Sequence, residues 1–293
     1  MRIVLGFPAG ATSDLLSRLA AERMRQTLGQ PVIVENKPGA GGRIANEAVK
    51  AAAADGATLL MTPVATMSIY PHSFRSLRYD PFRDFAPLAH LSDFQLSLGV
   101  GAHVPAQTLA DYVALVKKDP KMGFYASAAA GSIPHFLGVM FARTAGIELT
   151  HVPYKGTANV LQALAAGEIA AATTLAADIG TLVKAGKARL LAVSGGRRDA
   201  AFPEVPTFKE QGYDMVATGW YALFAPAGTP RPVLDRLSQA AMEAIRDEGV
   251  RQKMLQIGLE PTGYGPAELA RIMKADYDKW GPVIRASGFK PDN

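Results

Sequence analysis

The chain has 293 residues, 48% of them hydrophobic and 19% charged, with no cysteine. That length suits two domains sharing a cleft, and without cysteine there are no disulfides, thiolate catalysis or cysteine-ligated zinc. The formal charge of +5 comes from Lys and Arg scattered along the chain, which argues against nucleic acid as a partner, and no apolar run approaches the ~18–20 residues of a membrane helix.

Strands and helices alternate from the first residues. Ile3–Phe7 reads as a strand, with no charged n-region, apolar h-region or cleavage site before it. The chain is therefore expected to be either cytoplasmic or an exported protein whose signal peptide has been removed. Thr12-Ser13-Asp14 offers N-cap chemistry for a helix carrying Leu16, Leu19, Ala20, Met24 and Leu28, and Gly29 ends it. Val32–Val34 is a strand, Gly39–Gly42 a loop opening a second helix through Ala48 and Ala52, and Ala57–Met61 a third strand. This βαβαβ opening predicts a parallel sheet wrapped by helices.

Tyr70–Leu88, rich in Pro, Phe, Arg and Asp, reads as irregular surface structure. Phe94–Val100 is a strand leading out of the first domain. A second alternating block follows: helix Leu109–Lys118, strand Gly123–Ala126, helix His135–Ala145, strand Thr150–Pro153, helix Asn159–Ala166, strand Ile169–Thr173, helix Ile179–Lys184 and strand Leu190–Val193. The apolar stretch Met215–Ala225 returns the chain. Helices starting at Pro232 and Pro266, with apolar stripes, complete the first domain. The expected division is residues 1–100 with 220–293 as domain one and 101–219 as domain two, a layout that closes on a hinge.

The loops that can carry chemistry share one grammar. Phe7-Pro8-Ala9-Gly10-Ala11-Thr12-Ser13-Asp14 lies between the carboxyl end of a strand and the start of a helix, where open α/β sheets bind ligands. A helix start presents unpaired N–H groups and a positive dipole end, which suit an anion. The same residues also fit an ordinary capped turn. Tyr125–His135 repeats the grammar in the second domain, with small side chains exposing backbone and the Ser127 and Ser132 hydroxyls; a loop kept small for packing is its alternative. A third loop, Val152–Thr157, contains Tyr154 and Lys155, a lone Lys being as readily a surface charge.

Enzyme motifs are missing. Gly39-Ala40-Gly41-Gly42-Arg43-Ile44 fails the dinucleotide fingerprint at Ile44, and Gly186-Lys187 lacks the earlier Gly of a phosphate loop. There is no HExxH or GxSxG, and the five histidines are far apart in sequence. No catalytic residue, cofactor or metal ligand is expected.

At these loops the chain resembles the Bug family, the substrate-binding proteins of tripartite tricarboxylate transporters. The likeness spans essentially the whole sequence, through FPAGATSD (Phe7–Asp14), LGQPVIVENKPGAGGRI (Leu28–Ile44), YDPFRDFAPL (Tyr79–Leu88), YASAAAGS (Tyr125–Ser132), HVPYKG (His151–Gly156), AGKARLLAV (Ala185–Val193), PEVPTFKEQG (Pro203–Gly212), WYALFAPAGTPRPV (Trp220–Val233) and WGPVIRASGFKP (from Trp280). The resemblance implies an α/β fold, the two-domain periplasmic binding protein (type II, flytrap) with its ligand cleft between lobes. It implies a periplasmic location, a signal peptide absent from this chain, a small carboxylate ligand, membrane permease subunits as partners and a monomeric receptor. The implied ligand-binding residues are Phe7, Gly10, Ala11, Thr12 and Asp14 on the first loop, and Thr62 and Thr66 after the third strand. On the second domain they are Ser127, Ala128, Ala130, Gly131, Ser132 and His135, with Tyr154, Thr174 and Asp178.

Two departures bear on the ligand. Thr174 stands where similar proteins often carry an Asp, which favours a ligand without an amine unless Asp178, one turn on, substitutes. Ala128-Ala129-Ala130 replaces a loop with Gly and Asn, which favours an apolar ligand body. The alternatives are a ligand-loaded accessory to a membrane signalling receptor, separable by gene neighbours, and an enzyme on the same fold, which would need a nucleophile or base among Ser127, Ser132, His135 and Asp14.

Overall fold

A computed structural model describes residues 1–289; the Lys290-Pro291 end of the WGPVIRASGFKP motif lies outside the described residues. The chain runs through β1 (Arg2–Leu5), α1 (Thr12–Leu28), β2 (Ile33–Asn36), α2 (Arg43–Lys50), β3 (Thr58–Pro63), α3 (Tyr70–Ser73) and a long β4 (Phe85–Gly101). There follow α4 (Leu109–Lys118), β5 (Phe124–Ser127), α5 (Ile133–Ala145), β6 (Thr150–Pro153), α6 (Thr157–Ala166), β7 (Ala171–Leu175), α7 (Ala176–Lys184) and β8 (Ala188–Val193). The last elements are β9 (Thr218–Pro226), α8 (Arg231–Arg246), α9 (Glu248–Gln256), β10 (Glu260–Tyr264) and α10 (Pro266–Ala286).

Two compact units result, residues 1–93 with the chain from Trp220 onward, and Phe94–Gly219. The first division falls inside β4, between Asp93 and Phe94. The early part of β4 pairs with β10 at His90, Ser92 and Asp93, whereas from Leu96 onward its partners are β7 and β8. The strand is also longer than the apolar run Phe94–Val100 suggested, because Phe85, Leu88, Ala89 and Leu91 are already buried. Tyr70–Leu88 is accordingly less irregular than expected: a π-helical turn at Ala65–Ile69 runs into α3, and the strand resumes at Phe85.

In the first unit β1 lies between β2 and β3, all parallel. In the second, β5 lies between β6 and β7, again parallel. The sheets are mixed, since β9 runs antiparallel to β3, and β4 antiparallel to β10, β7 and β8. A strand that carries the chain out of a unit, or back into it, needs no helical crossover and so escapes the parallel rule. Helix α1 buries Leu16, Ala20, Met24 and Leu28, as the spacing requires, and stops at Gly29, whose φ of 66° gives a left-handed cap.

Candidate functional site

In the first unit the turn after β1 is held from behind by one carboxylate. Helix α1 begins at Thr12 with Ala11 as an extended N-cap and no side-chain cap, so Thr12 does not cap it as its sequence suggested. Asp14 reaches back instead: Oδ2 accepts the Gly10 N–H at 2.9 Å and the Arg18 Nε–H at 3.0 Å, and Oδ1 accepts Asn36 Nδ2 at 2.9 Å. Asn36, at the end of the neighbouring β2, also donates to the Phe7 carbonyl at 3.0 Å. Burial of Asp14 raises its pKa, but the bonds from Arg18, Gly10 and Asn36 outweigh that and hold it below the usual carboxylate range. Gly10 carries φ +82°, a left-handed conformation that suits glycine.

The consequence is a turn whose polar side chains are occupied with each other. Among the described residues, no acceptor takes the N–H groups of Thr12 or Ser13. They stand at the positive end of the 17-residue helix α1, the feature that receives anions. Asp14 thus orders the turn through Gly10 and Asn36, and Arg18 offsets its charge.

The Gly39–Gly42 loop supports this turn by close approach. A Cβ on Gly6 would lie 2.5 Å from Gly42 Cα, and one on Gly42 would lie 3.3 Å from both the Phe7 ring and the Thr66 methyl. Tyr70 fixes the loop by donating to the Gly41 carbonyl at 3.1 Å. Thr62 and Thr66 are buried, with one hydroxyl donating to the other at 2.6 Å; the remaining proton serves Asn46 Oδ1, 3.3 Å from the Thr62 hydroxyl, or the Pro63 carbonyl, 3.1 Å from that of Thr66. They brace the turn region from below and do not display hydroxyls on the surface.

In the second unit, β5, β6 and β7 end beside the starts of α5, α6 and α7. The turn after β5 is tied to the next one: Tyr154 N–H donates to the Ser127 carbonyl at 2.9 Å and Gly156 N–H to the Ala128 carbonyl at 3.2 Å. Ser132 is the N-cap of α5, accepting the His135 N–H at 3.4 Å and donating to the Ala129 carbonyl at 2.7 Å. Ala130 is exposed, Gly131 is buried with φ +73°, and Ala128 and Tyr154 pack on the unit's core.

Here the structure assembles a cluster that the sequence spacing hid. Ser127 Oγ lies 2.7 Å from Nε2 of His151, and the His151 and His135 rings stack 4.1 Å apart. The Gly131 N–H donates to His135 Nδ1 at 3.1 Å, which fixes that nitrogen as an acceptor and the ring as neutral. Burial lowers the His135 pKa to about 4; burial and then the neighbouring imidazole lower that of His151 to about 3. In the first unit His90 is lowered to about 4, again by burial. All three fall below the ~6.5 of an unfolded histidine, so the unfolded chain takes up protons first as pH falls. Stability is expected to be complete above about pH 6.5 and to fall steadily toward pH 4, by up to about 2 kcal/mol per imidazole between pH 7 and 5. Urea midpoints across that range check this; a flat profile would contradict neutral burial.

Thr174 and Asp178 also come together. The Thr174 hydroxyl donates to Asp178 Oδ2 at 2.8 Å, and burial raises the Asp178 pKa against that bond. Asp178 thus supplies a carboxylate beside Thr174, the substitution that the sequence reading allowed for. Asn36, Gly42, Tyr70 and His151 are the supporting residues that sequence reasoning missed.

Residues 16–289 match the tripartite tricarboxylate transporter family receptor. BugT of Bordetella pertussis is 30% identical over 296 residues, covering 99% of this chain and 90% of its own. A solved R. palustris protein with adipate is 30% identical with a TM-score of 0.91, covering 100% of this chain and 98% of its own. MatC from Rhodopseudomonas palustris with bound malate is 30% identical with a TM-score of 0.85, covering 97% and 98%.

Proposed function

The chain belongs to the Bug-type receptor family of tripartite tricarboxylate transporters, and from that premise we propose that it is a periplasmic solute-binding protein capturing a small carboxylate for a membrane permease. The observation that carries the ligand class is the pair of unaccepted amides, Thr12 and Ser13, at the start of α1. They provide N–H donors and a dipole where a carboxylate gains most, with no Arg or Lys in the Phe7–Asp14 turn itself. The Ser127–Ser132 turn of the second unit contributes recognition of the same kind through its backbone, the Ser132 hydroxyl being committed to capping α5. The apolar Ala128-Ala129-Ala130 suits a ligand with a hydrocarbon body. Each unit acts as one lobe of a monomeric receptor.

The protein acts by binding, not catalysis. Ser127 has a histidine at 2.7 Å, but it is fully buried and its hydroxyl also lies 3.2 Å from the Ala129 carbonyl. No face of that oxygen is open to an electrophile, which a nucleophile requires. The relatives bound to adipate and malate point to dicarboxylates as the first ligands to try.

A thermal-shift screen on protein unfolded and refolded to remove carried-over ligand tests this. Adipate, malate, citrate, benzoate, aspartate and glucose make the panel. A ligand at a hundred times its Kd adds ~2.7 kcal/mol, so a midpoint rise of several degrees with one or more carboxylates is expected. No rise with any acid, or a rise with glucose alone, would overturn the reading.

A further inference from the structure

The first unit has a second place suited to negative charge, away from the amides of α1. Between α3 and β4 the surface has an open cavity of about 610 Å³ whose lining includes Lys50, Arg75, Arg78, Phe82, Arg83 and Tyr277. Arg75, Arg78, Phe82 and Arg83 are exposed. The local acids are already engaged. Asp80 Oδ1 accepts the N–H groups of Phe82 and Arg83 at 2.9 and 3.1 Å. Asp84 Oδ2 accepts the Asp80 N–H at 2.7 Å and lies 2.9 Å from Lys50 Nζ. Arg78 meets a carboxylate only at 4.0 Å, on Glu47, and Arg75 and Arg83 form no ion pair among the described residues.

The cavity thus carries three guanidinium groups with little carboxylate against them, Arg83 acting on Asp84 and Arg78 reaching Glu47 only at 4.0 Å, next to a fixed aromatic edge where the Phe82 and Tyr277 rings meet at 5.2 Å and 86°. Guanidinium forks match carboxylates, and an aromatic edge covers their hydrocarbon stems. The volume falls within the ~300–1,000 Å³ of binding pockets, enough for a few side chains of a peptide and unlike the flat face a bilayer presents. The cavity also touches the candidate site. Tyr79, in its wall, is buried and donates to the Thr66 carbonyl at 2.7 Å, and the Thr66 hydroxyl meets Thr62. A partner seated here rests on the same framework that braces the Phe7–Asp14 turn.

We propose that this cavity docks an acidic segment of the membrane permease that accepts the cargo. The proposal rests on the receptor reading above and names the surface that reading requires. Charge complementarity selects the occupant: among the described lining residues, the positive charges outnumber acids that are themselves turned to backbone amides and Lys50.

Calorimetric titration of hexaglutamate into the full chain at low salt tests it. Joint replacement of Arg75→Ser and Arg83→Ser is expected to weaken binding about tenfold or more. Joint replacement of Lys117→Ser and Lys118→Ser, which removes the same charge from the exposed end of α4, should change it less than about twofold. Equal weakening by both pairs would reduce the effect to net charge and overturn the proposal. So would phosphatidylglycerol vesicles binding with the Arg75 and Arg83 dependence while hexaglutamate does not. Small-carboxylate binding should be equal in all three proteins; its absence from all of them would strike at the receptor reading, not at the docking surface.

Discussion

Replacing Gly6 by alanine is expected to lower stability by about 2–3 kcal/mol and to weaken carboxylate binding by at least about tenfold. The new methyl would lie 2.5 Å from Gly42 Cα and 2.8 Å from the Gly42 carbonyl oxygen. Both are backbone atoms, so no rotamer change relieves the contact. The turn after β1 and the Gly39–Gly42 loop must move apart, and Phe7 then loses its seat against Gly42. Gly6 is not among the positive-φ residues, so the effect is steric alone. Gly10→Ala supplies the contrast: a Cβ there meets nothing within 4 Å, but φ is +82°, which costs about 1–2 kcal/mol for a residue with a side chain. Urea midpoints at unchanged m-value separate the two. A Gly6→Ala protein as stable as the parent would mean that the two loops are not in register at the site.

How much of this was legible follows the range of the interactions. Helix α1 and strands β1, β2 and β3 showed in the sequence because their apolar spacing and turn residues are local. The strand–turn–helix arrangement at Phe7–Asp14 and Ser127–His135 showed too, since its grammar is read within a dozen residues. The contacts that organise the site did not. Asn36 meets Asp14 across 22 positions and His151 meets Ser127 across 24, and a single sequence carries no signal for such pairs. The glycines of Gly39–Gly42 were visible, but their spacing was tested only against phosphate-binding motifs. Their use is to let one backbone approach another. Thr62 and Thr66 were expected to line a ligand cleft, but their four-residue spacing turns the hydroxyls toward each other.

These long-range contacts also explain why the turn has so few polar side chains at its surface. A carboxylate ligand competes with water for donors, and donors already fixed in place lose less entropy on binding than mobile Lys or Arg side chains. Asp14, Asn36 and the Gly42 backbone do the fixing, leaving the Thr12 and Ser13 amides as the groups with bonding capacity. The cost is that a negative charge stands in the same first turn as those amides, which Arg18 at 3.0 Å offsets.

That arrangement makes Asp14 the sharpest test of the site. Asp14→Ala is expected to destabilise the protein by about 2–3 kcal/mol. The Asp14 side chain is 3% exposed, so the Gly10 N–H loses its acceptor and Asn36 keeps only the Phe7 carbonyl. Arg18 is 52% exposed, and its ion pair adds little to that figure. Because the folded pKa of Asp14 is depressed, its contribution is complete above the unfolded value near 3.9 and is lost as pH falls through the lower folded value. The difference between parent and variant should therefore narrow in acid, the remainder being what a neutral carboxyl still accepts from Gly10 and Asn36. The direction of the affinity change decides the role. A carboxylate beside a bound anion repels it, so if Asp14 faced the ligand directly, Asp14→Ala would bind dicarboxylates more tightly. If Asp14 instead holds Gly10 and the first amides of α1 in place, affinity falls about tenfold or more, and Asp14→Asn, which keeps one acceptor oxygen, falls less. Titration of both variants with the strongest ligand of the thermal-shift panel distinguishes these outcomes, and tighter binding by Asp14→Ala would remove Asp14 from its positioning role.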